Sequence, residues 1–344
     1  MNDPSQQHIG TPALIRRFAP YLMRYKRILI FDLFCAALTT LCDIVLPKIM
    51  SYLTNAATDP GIVLTVDAVL KLALLYLILR LIDGAAQYFM SGTGHIMGVY
   101  IETDMRRDAF AHLQRLSHTY YSNTKVGQIM GRITNDLFEV TEFSHHCPEE
   151  FFIAGLKIVI SFIILARIHL LLTVMVFIFV PIMTIVCRMI NRKMRSAFGQ
   201  QRYQIGELNA KIEDSLLGQK VVKAFTNEEL EKEKFEEGNQ EFLKIKTYTY
   251  MLMGMFNTST RVFDGLMYLV VILGGGYFLM EQQILPGDMV AYVMYVSTLI
   301  ATIRRIIEFA EQFQRGMTGI ERFFEIMDSP VEITEKPDAR ALIC

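Results

Sequence analysis

The chain has 344 residues, with 34 Lys and Arg against 35 Asp and Glu, and 52% of its residues are hydrophobic. A net charge of −1 excludes a basic nucleic-acid-binding protein on bulk grounds, and five cysteines in this length exclude a disulfide scaffold. Soluble domains contain about 25% charged residues, whereas this chain contains 20% and gathers its apolar residues into long blocks. These properties indicate a membrane protein.

The first predicted element is an amphipathic helix over residues 12–25. It places Leu14 and Phe18 on one face and Arg16 and Arg24 elsewhere. This pattern is typical of a helix that lies along the inner leaflet of a membrane. We expect residues 1–27 to form a cytosolic N-terminal segment that contains this helix.

Six later segments are long enough to cross a membrane, since a spanning helix needs about 20 mostly apolar residues. The predicted spans are 28–50, 68–90, 147–166, 170–190, 262–280 and 284–306. The sequence therefore predicts an all-α membrane protein with a six-helix transmembrane domain over residues 28–310.

The distribution of Lys and Arg predicts how these spans are oriented. Five such residues precede the first span and twelve lie in residues 188–246, whereas residues 55–66 and 281–287 contain none. Because Lys and Arg accumulate on the cytoplasmic side of a membrane, we expect a multi-pass protein of the plasma membrane with both termini in the cytosol. Two long cytosolic loops, 91–146 and 191–261, follow from the same assignment.

The two cytosolic loops are predicted to be helical hairpins. Residues 101–116 carry apolar side chains at a helical spacing, and residues 230–245 do the same. At 1.5 Å per residue, about 25 extra residues carry each helix roughly 35–40 Å into the cytosol. Such extensions indicate transmission to a cytoplasmic partner.

Each hairpin tip contains a turn motif. Ser122 and Asn123 at the first tip are typical turn residues. Gly218, at the second tip, costs a helix about 1 kcal/mol relative to Ala, which indicates a packing demand or a turn. Thr226, followed three residues later by Glu229, predicts a capping box that opens the returning helix.

These tips, together with the sixth span and its tail at 313–330, resemble the transmembrane domain of ATP-binding cassette exporters of the multidrug, lipid and peptide type. The resemblance covers essentially all of residues 12–330. The matching positions are Tyr120, Tyr121, Gly127, Arg132 and Asp136 at the first tip, and Glu213, Gly218, Val221, Val222, Lys223, Phe225 and Glu229 at the second.

The resemblance implies a domain-swapped dimer of two six-span domains, either homomeric or heteromeric, in which a nucleotide-binding domain docks on two coupling helices. These helices fall on residues 121–127 and 214–222. The implied coupling residues are Tyr121, Ser122, Asn123, Lys125, Gly127, Asp214, Leu217, Gly218 and Val221. The resemblance further implies contact with membrane lipid and an amphiphilic small-molecule, lipid or peptide substrate, with ATP and Mg in the full transporter.

The sequence contains no G-x-x-x-x-G-K-[ST] phosphate loop. We therefore expect neither a catalytic residue nor a cofactor in this chain. Either residues 311–344 begin a linker to a nucleotide-binding domain, or a separate polypeptide supplies the ATPase. The alternative function is an ion-coupled secondary transporter or a channel-like protein, which would need acidic groups at the midplane and broken helices; only Asp83 lies near the midplane.

Charged residues within predicted spans are costly and are candidates for function. Arg80, Asp83 and Lys157 lie deepest, and they either line a substrate cavity or form a structural ion pair. The full set of candidate cavity residues is Arg80, Asp83, Lys157, Asp264, Met267 and Met294.

The adjacent His145 and His146 suggest a metal site. Neighbouring side chains on a helix point about 100° apart, and no second cluster in the sequence pairs with these two. We therefore predict no metal site.

Overall fold

The computed structural model describes residues 10–59, 61 and 64–332, and within that part of the chain every regular element is a helix. The α-helices are α1 (Thr11–Arg24), α2 (Lys26–Thr58), α3 (Val66–Phe89), α4 (His95–Leu113), α5 (His118–Asn123), α6 (Val126–Gly131), α7 (Leu137–Ile168), α8 (Leu170–Phe177), α9 (Phe179–Leu217), α10 (Gln219–Ala224), α11 (Glu228–Val270), α12 (Gly276–Met280) and α13 (Pro286–Met327). Three π-helical turns, Met90–Gly94, Arg132–Asp136 and Val271–Gly275, join consecutive helices. The all-α prediction is confirmed. Residues 1–9 of the predicted N-terminal segment and residues 333–344 of the predicted linker lie outside the described residues.

Five helical stretches are long and apolar enough to cross a membrane. They are Lys26–Thr58, Val126–Ile168, Leu170–Leu217, Glu228–Met280 and Pro286–Met327, and they contain the predicted spans one, three, four, five and six. The segment 68–90 forms α3, which is not among the five and carries Lys71, Arg80 and Asp83. The second predicted span is helical and packs along the first, because α3 contacts α2. That this helix crosses the membrane stays a prediction.

The chain divides into two compact units. One contains residues 1–164 and 285–344, and the other contains residues 165–284. The first unit therefore holds α1 to α6, most of α7, and α13. The second holds α8 to α12.

In the first unit, α13 packs closely against α2 and α7. A Cβ atom on Gly319 would lie 2.6 Å from the carbonyl oxygen of Asp136, and one on Gly316 would overlap the side chain of Phe143. The Tyr295 hydroxyl donates a hydrogen bond of 2.8 Å to the carbonyl of Ile44 on α2. The glycines at positions 316 and 319 thus permit the close helix contact that holds α13 in place.

Helix α1 forms where the sequence predicts it, but its buried side chains contact protein. Leu14 and Phe18 are buried in a cluster with residues of α4, α7 and α13, and the rings of Phe18 and Phe143 are 5.9 Å apart. Arg17 donates two hydrogen bonds, of 2.7 and 2.6 Å, to Asp328. The chain itself therefore covers these two side chains, and the position of α1 along the inner leaflet stays a prediction.

The second unit is built around a hairpin of α9 and α11, with 39 and 43 residues. At 1.5 Å per residue these helices are about 60 Å long, which is twice the thickness of a hydrocarbon core. Gln204 on α9 donates a hydrogen bond of 3.1 Å to Glu241 on α11. The prediction of helices that extend well beyond the membrane is confirmed for this hairpin.

The Arg17–Asp328 pair provides a test of how α1 is held. The hydrogen bonds from Arg17 lower the pKa of the Asp328 carboxyl below its ordinary value. A carboxyl with a lowered folded-state pKa stabilises the fold above its unfolded-state pKa, and this stabilisation is lost as the pH falls through the folded-state pKa. We expect Asp328→Asn to increase amide hydrogen exchange in α1 by about 2–5-fold at pH 7, since exposed ion pairs contribute up to about 1 kcal/mol.

The comparison is made with the unsubstituted chain at each pH, and Arg16→Gln, at an exposed neighbouring position, is the control. The difference caused by Asp328→Asn should shrink as the pH falls below about 4. An effect of equal size in the control, or a difference that does not change with pH, would contradict the assignment.

Candidate functional site

Asp43 on α2 is the centre of an ion-pair network between three of the predicted spans. Its Oδ1 lies 3.3 Å from Nη1 of Arg80 on α3, and its Oδ2 lies 3.0 Å from Nζ of Lys157 on α7. Arg80 also donates hydrogen bonds of 2.9 Å to Asp83 and to the hydroxyl of Tyr76. Three helices are therefore joined by one series of charge-assisted hydrogen bonds.

The helical spacing of the sequence produces half of this network. Tyr76, Arg80 and Asp83 lie four and three residues apart, which places them on one face of α3. Lys157 has no acidic residue three or four positions away on α7, so its counter-charge must come from another helix. Asp43 provides it, and a charge that is costly to bury alone becomes compensated.

A second ion pair joins α7 to α13. Nη2 of Arg305 lies 2.5 Å from Oε1 of Glu150, whose side chain is 5% exposed. The two networks together contain three acidic and three basic side chains, so their charges balance. Four helices, α2, α3, α7 and α13, are thus connected by polar contacts within the first unit.

These four helices enclose a cavity of about 370 Å³. Its polar lining consists of Asp43, Arg80, Glu150, Lys157, Ser297, Thr298, Thr302 and Arg305. Its apolar lining consists of Leu46, Pro47, Ile153, Ala154, Met294, Ala301 and Ile306. The volume falls at the lower end of the range for small-molecule sites, about 300–1,000 Å³, and the mixed lining can receive a molecule with a polar and an apolar part.

Three of the six predicted cavity residues, Arg80, Lys157 and Met294, line this cavity. Asp83 contacts Arg80 without being among the lining residues. Asp264 and Met267 belong to the second unit and do not line it; Met267 is fully buried there.

Sequence reasoning missed Asp43, Glu150 and Arg305. The lack of an acidic neighbour for Lys157 on its own helix was the signal that could have identified Asp43.

The first cytosolic tip differs from the predicted coupling helix at 121–127. The short helix there is α5, and Thr124 and Lys125 adopt extended backbone angles that separate it from α6, which contains Gly127. The Tyr121 hydroxyl donates a hydrogen bond of 2.6 Å to the carbonyl of Leu113, and Ser122 donates one to the carbonyl of His118. The helix therefore begins before the predicted segment, because these two side chains bond to backbone that precedes residue 121. Asn123 is the last residue of α5.

The second tip also corrects the prediction of a helix at 214–222. Asp214 and Leu217 form the last turn of α9, which ends at Gly218, and Val221 lies in the short helix α10. The Gly218 amide donates a hydrogen bond of 2.9 Å to the carbonyl of Asp214. The prediction of a turn at Gly218 is confirmed, because the glycine separates two helices.

The predicted capping box at Thr226 is wrong. Thr226 adopts a positive φ of 54°, which closes the turn after α10. The N-cap of α11 is Asn227, and it makes no capping hydrogen bond through its side chain. Helix α11 therefore begins one residue later than the motif suggests.

Large apolar side chains are exposed at both tips. At the second tip, Leu217 is 79% exposed, Phe225 is 72% exposed and Val221 is 61% exposed. At the first tip, Val126 and Met130 are exposed to a similar extent. Large exposed apolar patches mark sites of protein or membrane contact or ligand-binding grooves.

The network around Asp43 can be tested by stability measurements. We expect Asp43→Asn to reduce the free energy of unfolding by about 1–3 kcal/mol, because the cations of Lys157 and Arg80 lose a partner at partly buried positions. Removing the uncompensated cation with Lys157→Gln in the same chain should restore part of the loss. Unfolding is followed by circular dichroism in detergent.

The control is Asp67→Asn at the start of α3. Asp67 pairs with Lys71, and both side chains are more than 70% exposed, so its loss should cost at most about 1 kcal/mol. The assignment is wrong if Asp43→Asn and Asp67→Asn lose equal stability. It is also wrong if the chain with both Asp43→Asn and Lys157→Gln loses as much stability as the sum of the two separate losses.

Comparison with known proteins is consistent with this architecture. The sequence matches the family described as ABC transporter transmembrane region over residues 29–303. It is 32% identical over 330 residues to YwjA of Bacillus subtilis (strain 168), an uncharacterized ABC transporter ATP-binding protein, and the match covers 95% of this chain and 56% of that protein.

Two further relatives have names that state a transported substance. YgaD of the same Bacillus subtilis strain, named for multidrug export, is 24% identical over 334 residues, which are 95% of this chain and 57% of that protein. A fatty acid ABC transporter ATP-binding/permease protein of Mycobacterium bovis is 26% identical over 231 residues. The match covers 67% of this chain and 37% of that protein. The chain spans little more than half the length of YwjA and YgaD. It is a multi-pass membrane protein and belongs to the ABC transporter transmembrane-region family.

Proposed function

We propose that this chain is the substrate-translocation domain of an ATP-driven exporter of amphiphilic molecules. The observation that carries this proposal is the cavity at membrane depth, which has ion pairs on one part of its wall and apolar side chains on another. A polar headgroup can contact Arg80, Lys157 or Arg305, while an apolar tail packs against Met294 and its neighbours. The multidrug and fatty-acid names of two relatives support the same substrate class.

Transport by alternating access requires that the cavity binds substrate when it faces one side and releases it when it faces the other. A difference in affinity between these two states, set by the walls of this chain, determines the direction of transport. The free energy comes from ATP bound with Mg on nucleotide-binding domains, which either continue this polypeptide or are separate.

Coupling to those domains is proposed at the exposed apolar tips. Leu217, Val221 and Phe225 suit an apolar groove on a partner, and Val126 and Met130 offer a second contact. The long helices α7, α9 and α11 connect these tips to the membrane segments. We assign the tips and both termini to the cytosol, as the Lys and Arg distribution predicts.

A dimer with exchanged hairpins is part of the same proposal. Residues 165–284 form a compact unit of their own, which supports a hairpin that associates with a second transmembrane domain, identical or different. Many side chains of this unit, including Ile185, Met189 and Leu273, are exposed in the single chain, and lipid or the second domain would cover them.

An ion-coupled transporter or a channel receives less support. Such proteins use acidic groups at midplane and discontinuous helices. Among the described residues of the first unit, Asp43, Asp83 and Glu150 each contact a cationic side chain, whereas the buried Asp32 has no hydrogen-bond partner. Helix α13 runs unbroken for 42 residues.

The coupling proposal is tested in the complete transporter, reconstituted in liposomes with its ATPase domains facing outward. We expect Leu217→Ala together with Phe225→Ala to lower ATP-dependent uptake at least 5-fold relative to ATP hydrolysis, because the tip loses its apolar contact. Uptake is measured with a fluorescent phospholipid, a fatty acid and a lipophilic cation.

The control is Leu243→Ala, which shortens a side chain that is 52% exposed on the stem of α11. It should leave the ratio of transport to hydrolysis unchanged. Equal coupling in the tip variant and the control would remove the tip assignment, and a complete absence of ATP-dependent uptake of any amphiphile would overturn the proposed function.

A further inference from the structure

Three histidines from two helices meet in the first unit. His95 is the first residue of α4, directly after a π-helical turn, and His145 and His146 lie in α7. One ligand atom from each side chain lies within 4.8 Å of the others, and the ring centroids are 4.0–4.8 Å apart. The expectation that no further residue joins the adjacent histidines is therefore wrong, because helix packing brings His95 to them.

The hydrogen bonds of two of the rings leave one nitrogen of each ring unprotonated. Nδ1 of the fully buried His145 lies 3.0 Å from the carbonyl oxygen of Thr141. A carbonyl only accepts, so Nδ1 carries the proton and Nε2 keeps its lone pair. Within the described part of the chain, this Nε2 is buried and has no hydrogen-bond partner. His95 repeats the pattern, with Nδ1 3.4 Å from the carbonyl of Met90.

A histidine that binds a metal ion through one ring nitrogen usually donates the other N–H to a carbonyl or a carboxylate. His145 and His95 both show this arrangement. His146 differs, since its Nε2 lies 3.6 Å from Glu142. That carboxylate can orient the ring and leave Nδ1 as the donor to the metal.

An orphaned carboxylate lies beside these rings. Asp32 on α2 is fully buried, and neither of its oxygens has a hydrogen-bond partner among the described residues. A Cβ atom on Gly94 would lie 2.7 Å from Asp32 Oδ1, which places the carboxylate against the backbone that immediately precedes His95. Glu149, four residues after His145 and 7% exposed, adds a second acid to the same region. A buried carboxylate without a partner is costly unless a cation compensates for it.

We infer that His95, His145 and His146 bind one divalent transition-metal ion, with Asp32, Glu149 or a water molecule in the fourth position. Imidazole nitrogens suit Zn²⁺, Cu²⁺ and Ni²⁺, whereas Mg²⁺ and Ca²⁺ prefer oxygen ligands. Zn–N bonds of about 2.0–2.1 Å in a tetrahedron place the donors about 3.3 Å apart, so the donor atoms must approach by up to about 1.5 Å. Ring rotations supply such a shift. The ion would join α4 to α7, and to α2 when Asp32 binds.

The glycine at position 98 supports a built site. A Cβ atom there would lie 2.8 Å from Thr141 Cγ2 and 3.2 Å from His145 Nδ1. A larger residue would separate α4 from α7 and move His95 away from His145. The close packing of α4 against α7 that the site needs is therefore present in the chain.

The test uses the purified chain, without a polyhistidine tag, in nanodiscs after treatment with a chelator. Titration with Co²⁺ should give one equivalent of binding with visible absorption bands of a tetrahedral complex, and Zn²⁺ should displace the Co²⁺. His145→Gln should weaken binding at least 100-fold. The matched control His118→Gln, an exposed position on α5, should bind like the unsubstituted chain.

Two results would overturn the inference. One is the absence of stoichiometric Co²⁺ or Zn²⁺ binding by the unsubstituted chain, which would show that the rings form a stack of neutral imidazoles. The other is binding that is unchanged in His145→Gln, which would place the ion elsewhere. The first result does not depend on the folding of any variant.

Discussion

A charged side chain at membrane depth is stable only when another group compensates for it, and the first unit satisfies this constraint around Asp43. Its carboxylate contacts Arg80 on one helix and Lys157 on another, so that removal of one acid leaves two cations without this partner. The Glu150–Arg305 pair adds α13 to the same group of helices. These contacts join the four helices, and the cavity lies between them. The residues that stabilise the bundle are therefore the same ones that give the cavity its polar wall.

Two of the helices that line this cavity, α7 and α13, are long and closely packed. Helix α7 carries both Lys157 and the histidine pair, and α13 contacts α7 closely at Gly316 and Gly319. The first hairpin, α1 and α13 thus form one packed body, to which the Arg17–Asp328 pair fixes α1. We propose that the exposed apolar side chains at the tips contact the partner. The second hairpin, as a separate compact unit, suits an exchange between two domains.

Hydropathy and charge patterns predict what depends on local sequence. They identify the all-α fold, α1, five of the membrane-crossing helices and the turn at Gly218. They fail where a distant contact decides. Asp43 acquires its role only when α2 lies against α3 and α7, and His95 joins His145 across fifty residues of intervening chain because Gly98 lets two helices approach. The tip helices lie away from their predicted positions for a third reason. The backbone is extended at Thr124 and has a positive φ at Thr226. Several neighbouring residue types could adopt the same turn geometry, so the sequence does not fix where the turn falls.

We propose that the cavity walled by α2, α3, α7 and α13 receives the transported amphiphile. The most direct measurement compares Met294→Trp, which fills the cavity from α13, with Val293→Trp on the adjacent residue, which is not among the lining residues. In the complete transporter, Met294→Trp should raise the KM for ATP-dependent uptake of a fluorescent amphiphile at least 10-fold, while Val293→Trp should leave it within about 2-fold, a change of less than about 0.5 kcal/mol. An equal KM in the two variants would contradict the account, because substrate would then pass elsewhere.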